Sequence, residues 1–195
     1  MMRRLIIVAV MLVSGFAGGE CAAQDAIGTV SRIQGEASRN GATRALAPNS
    51  AVFLNETVAT GETARLEVTF TDNTRLTLGE KAKLTLDNYV FDSAARRGTI
   101  KFGLVGAFRF VSGQVSKLAS ADVSVTTPVA VVGIRGTEFW GGPIDDQALG
   151  VLLIEGSLSV SNNLPGQGTN IAAPGAAPGP VRSGRRTRSA ALSQR

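Results

Sequence analysis

Histidine is absent from the 195 residues, and cysteine occurs once, as Cys21 near the N-terminus. Without His the chain has no ordinary general base near neutral pH and no imidazole to hold a metal. Ser-His-Asp and Cys-His arrangements are therefore impossible, and zinc or transition-metal sites lose their usual ligands. Aromatic residues make up only 5%, with one Trp (Trp140) and one Tyr (Tyr89), so stacking platforms are scarce. The formal charge of +5 is unevenly spread: residues 165–195 hold Arg182, Arg185, Arg186, Arg188 and Arg195 with no acid, whereas residues 24–164 sum to about −1. The basicity is a property of the tail and gives no footprint for nucleic acid.

Other chemistries fail on spacing. Gly133-Ile134-Arg135-Gly136 lacks the lysine and the following helix of a phosphate-cradling loop, and Asp145-Asp146 is not followed by the regular oxygen ligands of a calcium loop. Carboxylates for glycoside cleavage could be drawn from Glu138, Asp145, Asp146 and Glu155. At loop and strand ends these read instead as solvated charges. The expectation is a protein that is not an enzyme, with no cofactor and no metal.

The N-terminus carries Arg3-Arg4, an apolar run from Leu5 to Val13 and the small-residue exit Cys21-Ala22-Ala23. This is the pattern of a secretory leader, expected to be cut near Ala23. The apolar run is shorter than the roughly 20 residues of a membrane span, so the mature chain should carry no integral membrane segment. The cut would also remove Cys21, and with it disulfides and thiol chemistry. Residues 24–164 are of one-domain length with enough chain for a core. From 165 to 195 Gly, Pro, Ala and Ser dominate and large apolar side chains are almost missing, so this stretch is read as a disordered tail.

What is abundant is two-residue alternation. Ala64 to Phe70 puts Ala, Leu, Val and Phe on one face and Arg65, Glu67 and Thr69 on the other, a strand with one buried side. The rhythm repeats over Thr74–Leu78, Lys83–Leu86 and Thr99–Phe102, broken by turn residues at Asp72-Asn73, Gly79-Glu80-Lys81 and Asp92-Ser93. Ala26 to Gln34 reads as a first strand, and Asn40-Gly41 as a hairpin turn. Ala107 to Val111 sets Phe108 and Phe110 on one face. Near the end, Gly141 to Asp146 reads as a loop, Leu149 to Glu155 as a buried strand, and Gly156-Ser157 as a tight turn into Leu158–Val160. The fold class is all-β, from about Ala26 to Asn162: a two-layer sandwich or a twisted, solenoid-like stack of short antiparallel strands.

The chain is organised around Thr126 to Trp140. Thr127-Pro128 forces extended backbone before the proline, Val129 to Val132 is short and β-branched, and Gly133 and Gly136 bracket Ile134-Arg135. Together Thr127, Pro128, Gly133, Arg135, Gly136, Thr137 and Phe139 resemble the signature of FecR domains, named for the ferric-citrate regulator of bacterial envelopes. The resemblance runs from about residue 27 to 161, taking in Gly28, Gly35, Leu46, Thr60-Gly61, Asp72-Asn73-Thr74 and Val151–Ile154. It implies an all-β FecR-like domain. The regulator itself adds an anti-sigma segment, a membrane helix and a receptor-docking domain, which this sequence is not expected to carry. What transfers is the fold, not the signalling circuit.

From these residues we expect a non-enzymatic, periplasmic or secreted module that binds another envelope protein through a strand edge or face. The alternative is a binder of envelope glycan or anionic polymer, stacking on Trp140 or Tyr89. The motif residues are expected to be structural. Arg135, flanked by Ile134 and Phe139, is expected to be partly buried and to lock the corner, or else to join Trp140 in a partner contact. Arg182, Arg185, Arg186 and Arg188 are candidates for an electrostatic tether to anionic envelope polymers.

Overall fold

The alternating segments become strands because each can bury one face only against another strand pair. A computed structural model of the chain describes residues 24–40, 44–145, 148–162, 168–172 and 190–193. The proposed leader, residues 1–23, lies outside the described residues.

In chain order the strands are β1 (Ala26–Gln34), β2 (Ala37–Arg39), β3 (Arg44–Ala45), β4 (Ala51–Phe53), β5 (Thr57–Thr60), β6 (Arg65–Phe70), β7 (Arg75–Leu78), β8 (Lys83–Asp92), β9 (Arg97–Val105) and β10 (Phe108–Val111). A single 3-10 turn, Val115–Lys117, precedes β11 (Ser120–Thr126), β12 (Ala130–Asp145), β13 (Ala148–Asn162), β14 (Gly168–Ala172) and β15 (Ala190–Ser193). All belong to one sheet, ordered β3-β2-β5-β8-β9-β11-β12-β10-β7-β6-β1-β4, with β13 on the far side of β12.

That sheet curls on itself. Phe70 on β6 stacks on Phe102 of β9 with ring centroids 4.8 Å apart, and on Tyr89 of β8 at 5.6 Å, although these strands are not neighbours in the sheet. The two halves therefore face each other across one core, nearer the two-layer expectation than the solenoid. Val30, Leu66, Val68, Leu76, Leu84, Ile100, Phe110, Val132 and Phe139 are all fully buried there. The ends of the sheet are drawn together by Arg39 of β2, whose guanidinium donates to the Ala51 carbonyl of β4 at 2.7 Å and pairs with Glu56 at 3.1 Å.

Three expectations need correction. Gly141 to Asp145 is the continuation of β12, not a loop. Leu149 to Glu155 is strand, but Leu152 and Ile154 are exposed, 54% and 50%, because only alternate residues can face the core. Pairing is not wholly antiparallel: β9 and β11 run parallel from Arg97/Ser120 to Gly103/Thr126, since the chain visits β10 in the other half between them. Of the tail, residues 168–172 and 190–193 pair along β13, and the rest lies outside the described residues.

Candidate functional site

β12 is the hinge of the curl. Its first half pairs with β11 and its second half with β10, while β13 follows it along the other edge throughout. The strand must therefore bend where it passes from one half to the other, and Gly136 and Thr137 of the motif sit at that bend. Gly136 takes φ +58 with no atom near an added Cβ, so its requirement is conformational. Opposite it, Gly156 takes φ +87, and a Cβ there would fall on the Gly136 carbonyl oxygen. Thr137 fixes the bend: its N–H donates to Ser112 Oγ at 2.9 Å and its carbonyl accepts the Ser112 N–H at 2.9 Å.

Of the remaining motif residues, Thr127, Gly133 and Phe139 make close contacts within the fold. Thr127 closes the turn into β12, exchanging hydrogen bonds with Ala130: its hydroxyl donates to the Ala130 carbonyl at 2.9 Å and accepts the Ala130 N–H at 3.0 Å. Pro128 is exposed in that turn. A Cβ on Gly133 would sit 2.6 Å from Ser159 Oγ. Phe139 is fully buried between Phe108 and Phe110, at centroid distances of 5.6 and 5.7 Å.

Arg135 is not buried. Ile134 points to the core, so the alternation of the strand turns Arg135 outward, where it is exposed and has no ion-pair partner among the described residues. Nor does it join Trp140. Their cross-strand partners are Ser157 and Leu152, five residues apart on β13, a separation of about 16 Å along a strand. Arg182, Arg185, Arg186 and Arg188 lie outside the described residues.

Trp140 is the centre of an outward surface. Gly141 and Gly142 explain its posture, one on each side of the sheet. A Cβ on Gly141 would strike the Phe108 ring at 2.5 Å inside, and a Cβ on Gly142 would strike Trp140 Cη2 and Cζ2 at 2.9 Å outside. The indole thus lies down over Gly142, 39% exposed. Across the strands a single row of outward residues runs Leu152, Trp140, Arg109, Thr77, Glu67, Arg32. Arg109 is held by Glu138, with Nε to Oε1 at 3.1 Å. Beside the indole a shallow groove of about 390 Å³ is lined by Arg32, Gln34, Arg65, Glu67, Thr77 and Arg109, among others. A larger hollow of about 540 Å³, between Gly35–Ser38 and Ala59–Gly61, has Glu36 as its only ionisable lining residue among the described residues.

On the other side of Trp140 the surface is aliphatic: Leu152 directly opposite it, Ile154 at a bulge of β13, and Ile144 two residues beyond Gly142, 59% exposed. β13 pairs with β15 over 148–151 and with β14 over 157–161, so among the described residues the backbone of 152–156 has no partner on that edge. Arg32, Arg65 and Arg109 were legible only as wet positions of their strands. Which strands lie side by side is set by the curl, for which the alternation carries no signal.

Tyr89 offers no platform. It is buried, accepts the Asp72 N–H at 3.0 Å and donates to Asp72 Oδ1 at 3.0 Å. With its proton committed there, the Thr71 hydroxyl 2.8 Å away is the donor of that pair. Burial first, and then the Asp72 charge, push its phenol up to about 12.

A family model described as FecR protein matches residues 56–159. Two crystal structures of a "putative anti-sigma factor" from Parabacteroides distasonis ATCC 8503, at 1.65 and 2.50 Å resolution, are similar with 16% identity and a TM-score of 0.48. The likeness covers 60% of this chain and 50% of theirs, so the chain spans about half the length of those structures. A comparison with curated proteins gives no match. No helix among the described residues is long and apolar enough to cross a membrane.

Proposed function

This chain belongs to the FecR protein family, and from that premise we propose that it is a non-enzymatic regulatory module of the bacterial cell envelope. Its role is to bind another envelope protein through the outer face and free edge of the β12–β13 hairpin. One observation carries this reading. Of the six large hydrophobic side chains exposed among the described residues, Trp140, Ile144, Leu152 and Ile154 lie on this one hairpin. Apolar clustering of that kind marks interaction surfaces, and a seated Trp with an Arg beside it, here Arg109, is a common centre of binding energy. The unpaired backbone at 152–156 adds a place where an extended segment could continue the sheet.

The family is regulatory, and we read Gly136 and Thr137 of its signature as serving the bend, with the outer face left for contact. Residues 1–23 are read as the leader that takes the protein to the periplasm or outside. In the tail, Arg182, Arg185, Arg186 and Arg188 are read as a tether to anionic envelope polymers; deleting residues 165–195 should then abolish salt-sensitive envelope association.

A second reading, favoured by the reclining indole alone, is that the face takes an envelope glycan. In-cell crosslinking of the full chain, compared with a Trp140→Ala/Leu152→Asp variant, separates the two. One recurrent protein adduct that the variant loses supports protein docking, and a glycan adduct that it loses supports the second reading. Adducts that are the same in both contradict the site.

A further inference from the structure

The groove beside Trp140 has a charge asymmetry that docking in general does not require. Arg109 is neutralised by Glu138, whereas Arg32 and Arg65 have no ion-pair partner among the described residues. Glu67, between them, accepts the Ser31 hydroxyl at 2.9 Å. Two exposed guanidiniums are thus presented on the same face as an apolar anchor, in a domain whose residues 24–164 sum to about −1. A guanidinium is a planar fork matched to a carboxylate.

We propose that the segment seated on this face is an extended acidic peptide of the partner protein, with an apolar side chain over Trp140 and carboxylates on Arg32 and Arg65. The inference rests on the docking reading above and names the chemistry of its partner. The row from Trp140 to Arg32 crosses β12, β10, β7, β6 and β1; four steps of about 4.8 Å make a span of about 19 Å. An extended chain advances about 3.3 Å per residue, so the acids stand about four to six residues from the anchor.

Other occupants fit less well. The chain's own tail is charged only by arginines and would meet Arg32 and Arg65 with like charge. A second copy docked face to face about a two-fold axis would bring to the interface a second set of the same two unpaired arginines and no surplus of acid. A sugar polymer could pair its acids, but the surface continues past the indole as Leu152 and Ile154, against which its hydroxyls would lose water without gaining partners.

The test is panning of a random dodecapeptide display library on the purified full chain, followed by titration of the enriched peptides as synthetic compounds. Trp140 is the only tryptophan, so its emission reports occupancy, and calorimetry serves the variants. The expected peptides carry acids four to six positions from an apolar residue, shift Trp140 emission, and bind an Arg32→Glu/Arg65→Glu variant at least about tenfold more weakly. Both arginines are exposed, so the variant should fold, with its melting lowered only by the like charge it sets beside Glu67. Enriched peptides without acids, or with unchanged affinity for that variant, overturn the inference, as does a library that yields no binder. If the peptides need Trp140 but not the arginines, the docking reading stands and the acidic partner falls; if they need neither, both fall. Polygalacturonate shifting Trp140 where peptides do not would assign the face to acidic glycan.

Discussion

Asp72 gives the sharpest prediction about what holds the fold. Its carboxylate is fully buried and accepts four hydrogen bonds: from the Thr74 N–H (3.1 Å), the Thr74 hydroxyl (2.7 Å), the Tyr89 hydroxyl (3.0 Å) and the Val115 N–H (3.2 Å). Those donors belong to the β6–β7 turn, to β8 and to the 3-10 turn before β11, so one side chain ties three parts of the curl. In Asp72→Ala the two hydroxyls can turn to other acceptors, but the two backbone N–H groups cannot. Each buried, unpaired donor costs about 1–3 kcal/mol, which sets the loss at about 4 kcal/mol. For a domain of this size that is a fall in Tm of roughly 12 °C. Asp72→Asn keeps one acceptor oxygen and should lose about half as much, and Tyr89→Phe, which strips the buried Asp72 N–H of its acceptor, about 2 kcal/mol. In a double-mutant cycle Asp72→Ala and Tyr89→Phe should cost less together than their sum. Thermal and urea unfolding measure all four. An Asp72→Ala protein melting within about 2 °C of the parent would refute the reasoning.

Tyr89 is the only tyrosine, so the tyrosinate absorbance of the folded protein should titrate near 12 instead of 10. The raised value means that the contribution of the neutral phenol to stability is complete below pH 10 and is lost as pH rises through 12; a midpoint at the ordinary value would show that the ring is not enclosed. The Thr137 hydroxyl is buried with no hydrogen-bond partner among the described residues, so Thr137→Val should cost less than about 0.5 kcal/mol or stabilise, and a loss above about 2 kcal/mol would show a bond that the geometry does not contain. Arg135 is exposed at the bend, so Arg135→Ala should change stability by no more than about 0.5 kcal/mol, and a large loss would restore the buried role that its neighbours in sequence suggest.

Strand existence was legible wherever one face alone is buried. Ala64 to Phe70 and Arg75 to Leu78 alternate cleanly, and Leu66, Val68, Leu76 and Leu78 are fully buried. Alternation fails where glycines serve side chains from elsewhere. Gly141-Gly142 looks like loop material, yet each makes room for a ring, Phe108 inside and Trp140 outside, and only the three-dimensional neighbours reveal it. Arg135 shows the reverse error: apolar flanks suggested burial, while strand geometry sends neighbours to opposite faces. Asp72 reads locally as a turn residue, and the partners that make it a tie, Tyr89 and Val115, are 17 and 43 residues away. The site follows the same rule. Trp140 was visible as the single tryptophan, but the arginines that share its face come from β1, β6 and β10, brought together by a curl encoded in no short segment.

The most direct test of the docking face is a photo-crosslinking side chain placed at position 152 in the full chain within cells, with position 90 as the control. Leu152 adjoins Trp140, while Val90, 41% exposed, lies on β8 in the other half of the curl. One recurrent protein adduct is expected from position 152, none from position 90, and loss of that adduct on Trp140→Ala. Equal, scattered adducts from both positions would contradict docking there.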